Sequence, residues 1–484
     1  AVSIFAKNKD VIKHQINGSK ETIKRAEIYD KDYIGMSKDA SMAYEIGMIK
    51  PGEKKELQIC ITIDENKNIS DLEDEIERIK RIDFEKEYLD TKAYWRKYVK
   101  KHNGLKIKEP QNSYDEKIYE IYKRSILLFP LLTNPETGGI IASPEIDENF
   151  TKCGRYAYCW PRDAVFITKA MDILKMGKET EKFYKVFCRK TQSKNGMWEQ
   201  RFYTDCKLAP CWGYQIDETA SVIFGVYEHY KYSKSEQFLK DNLQMCEKAV
   251  DFLKRYFTDI LEETNKYHVS YDLWEMCEGV HLYSLASIYS AFDCMLKIYD
   301  NLGKNVSEFE NNRLKEEKIN KSKKAIEKML LEVKKYINQN MYDEDKKSYV
   351  RNAQDKKMDI SILGAVTPFN VFKAKEKKVQ NTVERINMSL RTYTGGYQRF
   401  ENDNYMNGNP WPIANLWMTL YYLETGEKKK AKECFDFVVK TAGKHYFLGE
   451  QVNNETLKPN WVIGLGWSHA MFIIVLEKLY GKEN

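Results

Sequence analysis

Four stretches of the chain set Trp, Arg and carboxylates side by side, where loops between helices more often carry Ser, Gly and Lys. The first is Arg155-Tyr-Ala-Tyr-Cys-Trp-Pro-Arg-Asp-Ala164. The second runs from Trp198-Glu-Gln-Arg-Phe202 to Trp212-Gly-Tyr-Gln-Ile-Asp-Glu-Thr-Ala220. The third is Tyr271-Asp-Leu-Trp-Glu-Met-Cys-Glu278. The fourth is split between Gln398-Arg-Phe-Glu401, Asn407-Gly-Asn-Pro-Trp411, Gly449-Glu-Gln451 and Gly466-Trp-Ser-His469. Such clusters suit a ring with apolar faces and a hydroxyl edge. Aromatic planes cover the faces, while Arg and Asp hold the edge through paired hydrogen bonds. Trp160, Trp274, Arg162 and Asp163 supply those parts. Cleaving a glycosidic bond needs two further carboxyl groups, one protonated and one ionised. The pattern offers many acids and leaves open which two.

Blander readings cover other residues. Asp217 and Glu218 open a helix, where carboxylates complement its dipole. Glu278 reads as a loop acid, and His281 and His469 as satisfied structural histidines. The Lys/Glu-rich stretch 308–340 reads as a solvated helical face.

Composition removes several classes of function. The 78 Lys+Arg are nearly balanced by 72 Asp+Glu, too even for a protein that neutralises nucleic-acid phosphates. A mean hydropathy of −0.63, with no run of about 20 apolar residues, argues against a membrane protein. The ten cysteines form no CxxC pair and the seven histidines no H-E-x-x-H, so neither a metal nor another cofactor is expected. No DDxxD cluster is present for prenyl-type metal chemistry. Irregular cysteine spacing reads as free thiols in a reducing compartment, which points to the cytoplasm. The chain opens at Ala1 without a charged-then-apolar leader, so a signal peptide is either absent or already removed, and secretion is the alternative.

The elements that must position these clusters change along the chain. Residues 1–72 are β-rich, with two short runs around a Pro51-Gly52 turn, the second (57–63) alternating as a half-buried strand does. Residues 73–110 read as a helical linker, one charged helix from Ser70 to about His102. Residues 111–484 carry helical periods almost throughout. Helices are expected near 115–133, 162–176, 178–191, 216–233, 235–256, 280–301, 308–341, 376–391, 410–425, 427–441 and 466–480, with a short one near 361–369. No repeat of fixed length appears, which favours a closed toroid over a solenoid.

In this order, Trp-Pro-Arg-Asp-Ala, Trp-Glu-Gln-Arg-Phe, Gln-Ile-Asp-Glu-Thr-Ala, Tyr-Asp-Leu-Trp-Glu, Gly-Asn-Pro-Trp-Pro, Glu-Gln and Gly-Trp-Ser-His-Ala resemble family 15 glycoside hydrolases of the bacterial glucoamylase and glucodextranase type. The resemblance runs from about Ser113 to the C-terminus. It implies a mainly α fold, an (α/α)6 barrel, preceded by a small β-rich segment (the remnant of a β-sandwich) and the helical linker.

Motif by motif, it implies Glu275 as general acid and Glu450 as general base. Arg162, Asp163 and Arg399 would grip the outermost sugar. Tyr156, Trp160, Trp212, Trp274 and Trp467 would surround it, and the backbone of Leu273 would touch it. Relatives often carry a second Glu directly after the acid, where it meets the next sugar; here that residue is Met276. The implied activity is exo-acting, inverting hydrolysis of malto- or isomalto-oligosaccharides without a cofactor. A trehalose- or dextran-cleaving relative and an inactive carbohydrate-binding regulator are the alternatives.

Overall fold

The computed structural model describes residues 2–7, 11–16, 24–25, 27–28, 40–63, 69–107, 110–146, 155–264, 269–303 and 313–481. The chain divides into two compact units, Ala1–Arg96 and Lys97–Asn484.

The first unit holds two antiparallel strand pairs. β1 (Val2–Ala6) pairs with β4 (Ile59–Ile63), Ile4 opposite Ile61, and β2 (Val11–Ile16) pairs with β3 (Ala40–Tyr44). The tight turn at Pro51-Gly52 forms, with Gly52 at φ +84° and Glu53 N donating to Lys50 O. The runs on either side of it pair elsewhere, Ala40–Tyr44 with β2 and Ile59–Ile63 with β1. The expected single linker helix is two: α1 (Ile69–Lys80) and α2 (Phe84–Lys101). Asp83 makes the break, its Oδ1 accepting from the Glu85 and Lys86 amides as an N-cap does.

Among the described residues, eleven helices and the 3₁₀ segment Ile360–Ala365 form the two layers of the second unit. Six form an inner ring: α4 (Pro161–Ile173), α6 (Ile216–Ser233), α8 (Leu282–Gly303), the 3₁₀ turn Ile360–Ala365, α11 (Pro412–Thr425) and α13 (Gly466–Tyr480). Each packs on the next in that order and α13 returns to α4, so the ring closes.

The outer partners are α3 (Ser113–Leu132), α5 (Gly177–Lys182, continuing as a π-helical stretch Phe183–Cys188), α7 (Glu236–Glu262), α9 (Arg313–Asn340), α10 (Lys377–Leu390) and α12 (Lys428–Thr441). Sequence explains the two layers. Inner helices are buried on every side, as in the unbroken run Ile216–Val226 of α6. Outer α7 buries one stripe instead, Phe238, Leu239, Asn242, Met245, Cys246, Ala249, Val250 and Leu253. Gly225 lets the layers meet: a Cβ there would lie 2.2 Å from the Tyr184 hydroxyl.

This ring is the expected (α/α)6 barrel, with one helix pair per expected pair. The sequence reading missed three small hairpins in its loops. These are β5–β6 (Ser270–Tyr271 with Glu278–Gly279), β7–β8 (Tyr342–Asp343 with Ser348–Tyr349) and β9–β10 (Gly449–Val452 with Pro459–Ile463). Nine cysteines are free thiols; Cys153 lies outside the described residues. No described helix is long and apolar enough to cross a membrane.

Candidate active site

Because outer helices run back between inner ones, the N-termini of the inner helices gather at one mouth of the barrel. There the sequence clusters meet around a cavity of about 250 Å³. Every residue to which the resemblance gives a role lines it. Trp160, Arg162 and Asp163 arrive on the first turn of α4, with Pro161 supplying the pre-set φ of a first helical residue. Trp467 comes from the first turn of α13, and Glu450 from β9. Tyr156 and Arg399 lie in loops, and Trp212 stands half exposed at the rim.

Leu273, Trp274 and Glu275 ride on the loop between β5 and β6. Asp272 organises that loop. Its Oδ1 accepts from the Met276 and Cys277 amides at 2.7 and 3.0 Å, and its carbonyl accepts from Glu275 N at 3.0 Å. Within this knot Glu275 adopts a left-handed φ of +60°, a conformation few residues other than Gly take without such support.

The two carboxyls have different surroundings. Trp160 Nε1 donates to Glu275 Oε1 at 2.7 Å. Burial raises the Glu275 pKa, while the nearby Arg162 and Arg201 charges and the Trp160 bond hold it back. Glu450 is only 3% exposed. The Tyr156 hydroxyl donates to its Oε1 at 2.6 Å and Gln451 Nε2 to its Oε2 at 2.9 Å. Burial nevertheless pushes Glu450 up to about 7.

The strand that carries Glu450 is clamped from behind. Leu448 N donates to His469 Nε2 at 3.0 Å, and Ser468 Oγ donates to Gly449 O at 2.9 Å. His469 Nδ1 lies 2.8 Å from Ser125 Oγ. Both ring nitrogens are thus used, and burial drives this histidine down to about 3, so it stays neutral.

Arg162 sits in an acidic nest. Its Nη1 is 2.9 Å from Asp217 and 3.1 Å from Glu218, and its Nη2 is 3.2 Å from Asp163. Glu218 Oε2 also accepts from the Arg162 amide at 2.6 Å. Asp217 and Glu218 do open their helix, in the first turn of α6, and outside the cavity lining. They also anchor the arginine of the neighbouring helix, and Glu218 caps that helix. Arg399 is held in a two-bond fork by Asp403, at 2.8 and 2.9 Å, and lies against the rings of Trp411 and Tyr405. Trp274 Nε1 donates to Asp359, which burial pushes up to about 6.

Sequence reasoning missed Arg201, Tyr405 and Trp411, which line the cavity, and the supports Asp359 and Asp403. Arg201 and Trp411 stood inside the quoted motifs, and Asp403 follows Arg399 by four residues, so those signals were present. Asp359 had none. Glu278 is exposed on β6 and outside the cavity lining, and His281 is buried with Nε2 against Ser270 O.

An aromatic-walled cavity with two carboxyls and two anchored arginines can hold one sugar and act on its bond from two sides. Comparison with known proteins agrees. The sequence model of Glycosyl hydrolases family 15 matches residues 114–460. An uncharacterized glycosyl hydrolase of Methanocaldococcus jannaschii is 29% identical over 461 residues, covering 92% of this chain and 69% of that protein. Trehalase 1 of Sulfolobus acidocaldarius is 20% identical over 274 residues, 56% of this chain and 42% of the enzyme. A solved bacterial glucoamylase complexed with acarbose superposes with a TM-score of 0.74 at 16% identity, over 99% of this chain and 72% of that one. That last likeness is one of fold.

Proposed function

The chain belongs to glycosyl hydrolase family 15, and on that premise we propose that it is an exo-acting, inverting α-glucosidase. It would release glucose from the non-reducing end of malto- or isomalto-oligosaccharides. The observation that carries this reading is the convergence of Glu275 and Glu450 on one small cavity. They lie 175 positions apart (450 − 275), and nothing local brings them together.

In the proposed roles, Glu275 protonates the leaving glycosidic oxygen. No described residue bonds its Oε2, which suits that oxygen to carry the proton. Glu450 takes a proton from a water on the opposite face of the sugar, and that water attacks the anomeric carbon. Inversion requires room for the water, which means carboxyls roughly 6.5–9.5 Å apart. Arg162, Asp163 and Arg399 hold the sugar's hydroxyl edge, and Trp160, Trp274 and Trp467 pack against its faces. The bonds from Tyr156 and Gln451 fix which way Glu450 faces.

The active form needs Glu450 ionised, so kcat/KM should rise with pH through a limb near 7 rather than near the ordinary glutamate value of about 4.3. The Tyr156 hydroxyl donates to the carboxylate and stabilises its charged form. Tyr156→Phe removes that support, so the acid limb should move to higher pH, by about one unit. A limb that stays put or moves down in the kcat/KM profile of the variant would detach Glu450 from it.

The direct test is hydrolysis of maltose, maltotriose, isomaltose and trehalose followed by NMR. Glucose is expected from the malto- or isomalto-series, in the β form first. Release from trehalose alone would move the assignment to the trehalose-cleaving alternative.

A further inference from the structure

Arg201 has no role in the mechanism above, yet its setting is unusual. Only 9% of it is exposed. Its Nε donates to Pro210 O at 2.6 Å, and its guanidinium lies 4.3 Å from the Trp212 ring and 5.4 Å from that of Trp160. The other deep arginines of the cavity are neutralised, Arg162 by three carboxylates and Arg399 by Asp403. Among the described residues, no carboxylate forms an ion pair with Arg201 and none accepts from its two terminal nitrogens. It is a nearly buried cation whose fork is left for whatever fills the cavity.

The surrounding rim has the matching character. Met276, 46% exposed, follows Glu275 directly, and Arg155 and Trp212 complete that side. Among the described residues that line the cavity, the acids are Asp163, which pairs with Arg162, Glu450, which Tyr156 and Gln451 hold, and Glu275 itself. An unneutralised guanidinium near Glu275 favours the ionised form of a group that must donate a proton. An anion bound to Arg201 would remove that opposition and pair the buried charge in one step.

We propose that the leaving-group side of the cavity takes an acidic sugar, one bearing a carboxylate or a phosphate, and that Arg201 selects it. Guanidinium and either anion match as a two-bond fork. Trp212 covers the sugar's face and Met276 offers the anion no repulsion. This rests on the α-glucosidase reading and specifies its substrate class. The hydrolytic step is unchanged: water enters, the glycosidic bond breaks, and the acidic sugar leaves with the proton from Glu275.

The experiment compares kcat/KM on four substrates: p-nitrophenyl α-glucoside, maltose, and two α-glucosyl disaccharides whose reducing-end sugar carries a phosphate or a carboxylate. Wild type should prefer at least one acidic disaccharide over maltose by about tenfold or more, and the preference should shrink in high salt. The better of the two acids names the anion. In Arg201→Gln the acidic-to-neutral ratio should fall to about twofold or less, and Arg201→Lys should restore part of it. Equal or better cleavage of maltose by wild type overturns the proposal, as does an equal loss on acidic and neutral substrates in Arg201→Gln. The salt dependence of wild type decides the matter if the variants do not fold. Cleavage of the aryl glucoside without an acidic preference defeats this inference alone; no cleavage of any of the four defeats the α-glucosidase reading and this with it.

Discussion

Glu275→Gln should lower kcat on maltose by about 10³-fold or more while leaving substrate binding nearly intact. The amide is isosteric, and its carbonyl still accepts from Trp160 Nε1, so the β5–β6 loop need not move. What is lost is the proton for the leaving oxygen. A leaving group that departs without protonation should therefore be affected far less. An aryl glucoside with a strongly acidic phenol should recover most of the lost rate. A variant that keeps more than about a tenth of wild-type kcat on maltose would remove Glu275 from the acid's role. So would one that loses equally on both substrates.

Arg162→Ala should be the most damaging change to the barrel itself. The guanidinium is surrounded by Asp163, Asp217 and Glu218, all buried, and its charge is shared among them. Burial raises Asp163 and Glu218 above ordinary carboxyl values even with the arginine present, so desolvation outweighs pairing there. Removing the cation leaves buried acids facing one another with no counter-charge. Breaking a buried pair in this way costs roughly 3–5 kcal/mol, and kcat/KM should fall with the lost grip on the sugar. The urea midpoint of the barrel's unfolding measures the first effect. An unchanged midpoint would mean that the nest does not hold α4 against α6.

The sequence already carried the barrel. Its inner helices are apolar on all sides and its outer helices on one, and this contrast is written in each segment's own residues. The hairpins were not legible because runs of two to five residues carry almost no alternation. The break at Asp83 escaped because a capping aspartate inside a charged segment looks like one more charge.

The site divides in the same way. Trp160, Arg162, Glu275, Arg399 and Glu450 stood in motifs, and all reach the cavity. The second role of Asp217 and Glu218, as anchors of Arg162, was not legible because that partner lies 55 or more residues away, on a helix whose neighbour only the closed ring reveals. Asp359 and the uncompensated state of Arg201 depend on which side chains surround them, and no spacing in the chain encodes that.

The proposed roles of Glu275 and Glu450 as an inverting pair have one direct readout, the anomer released before mutarotation. Proton NMR on freshly mixed enzyme and a cleaved oligosaccharide records it within minutes. β-Glucose appearing first, with the α form growing in afterwards, is the expected result. α-Glucose appearing first would require a covalent or same-face displacement, and would contradict Glu450 acting through water.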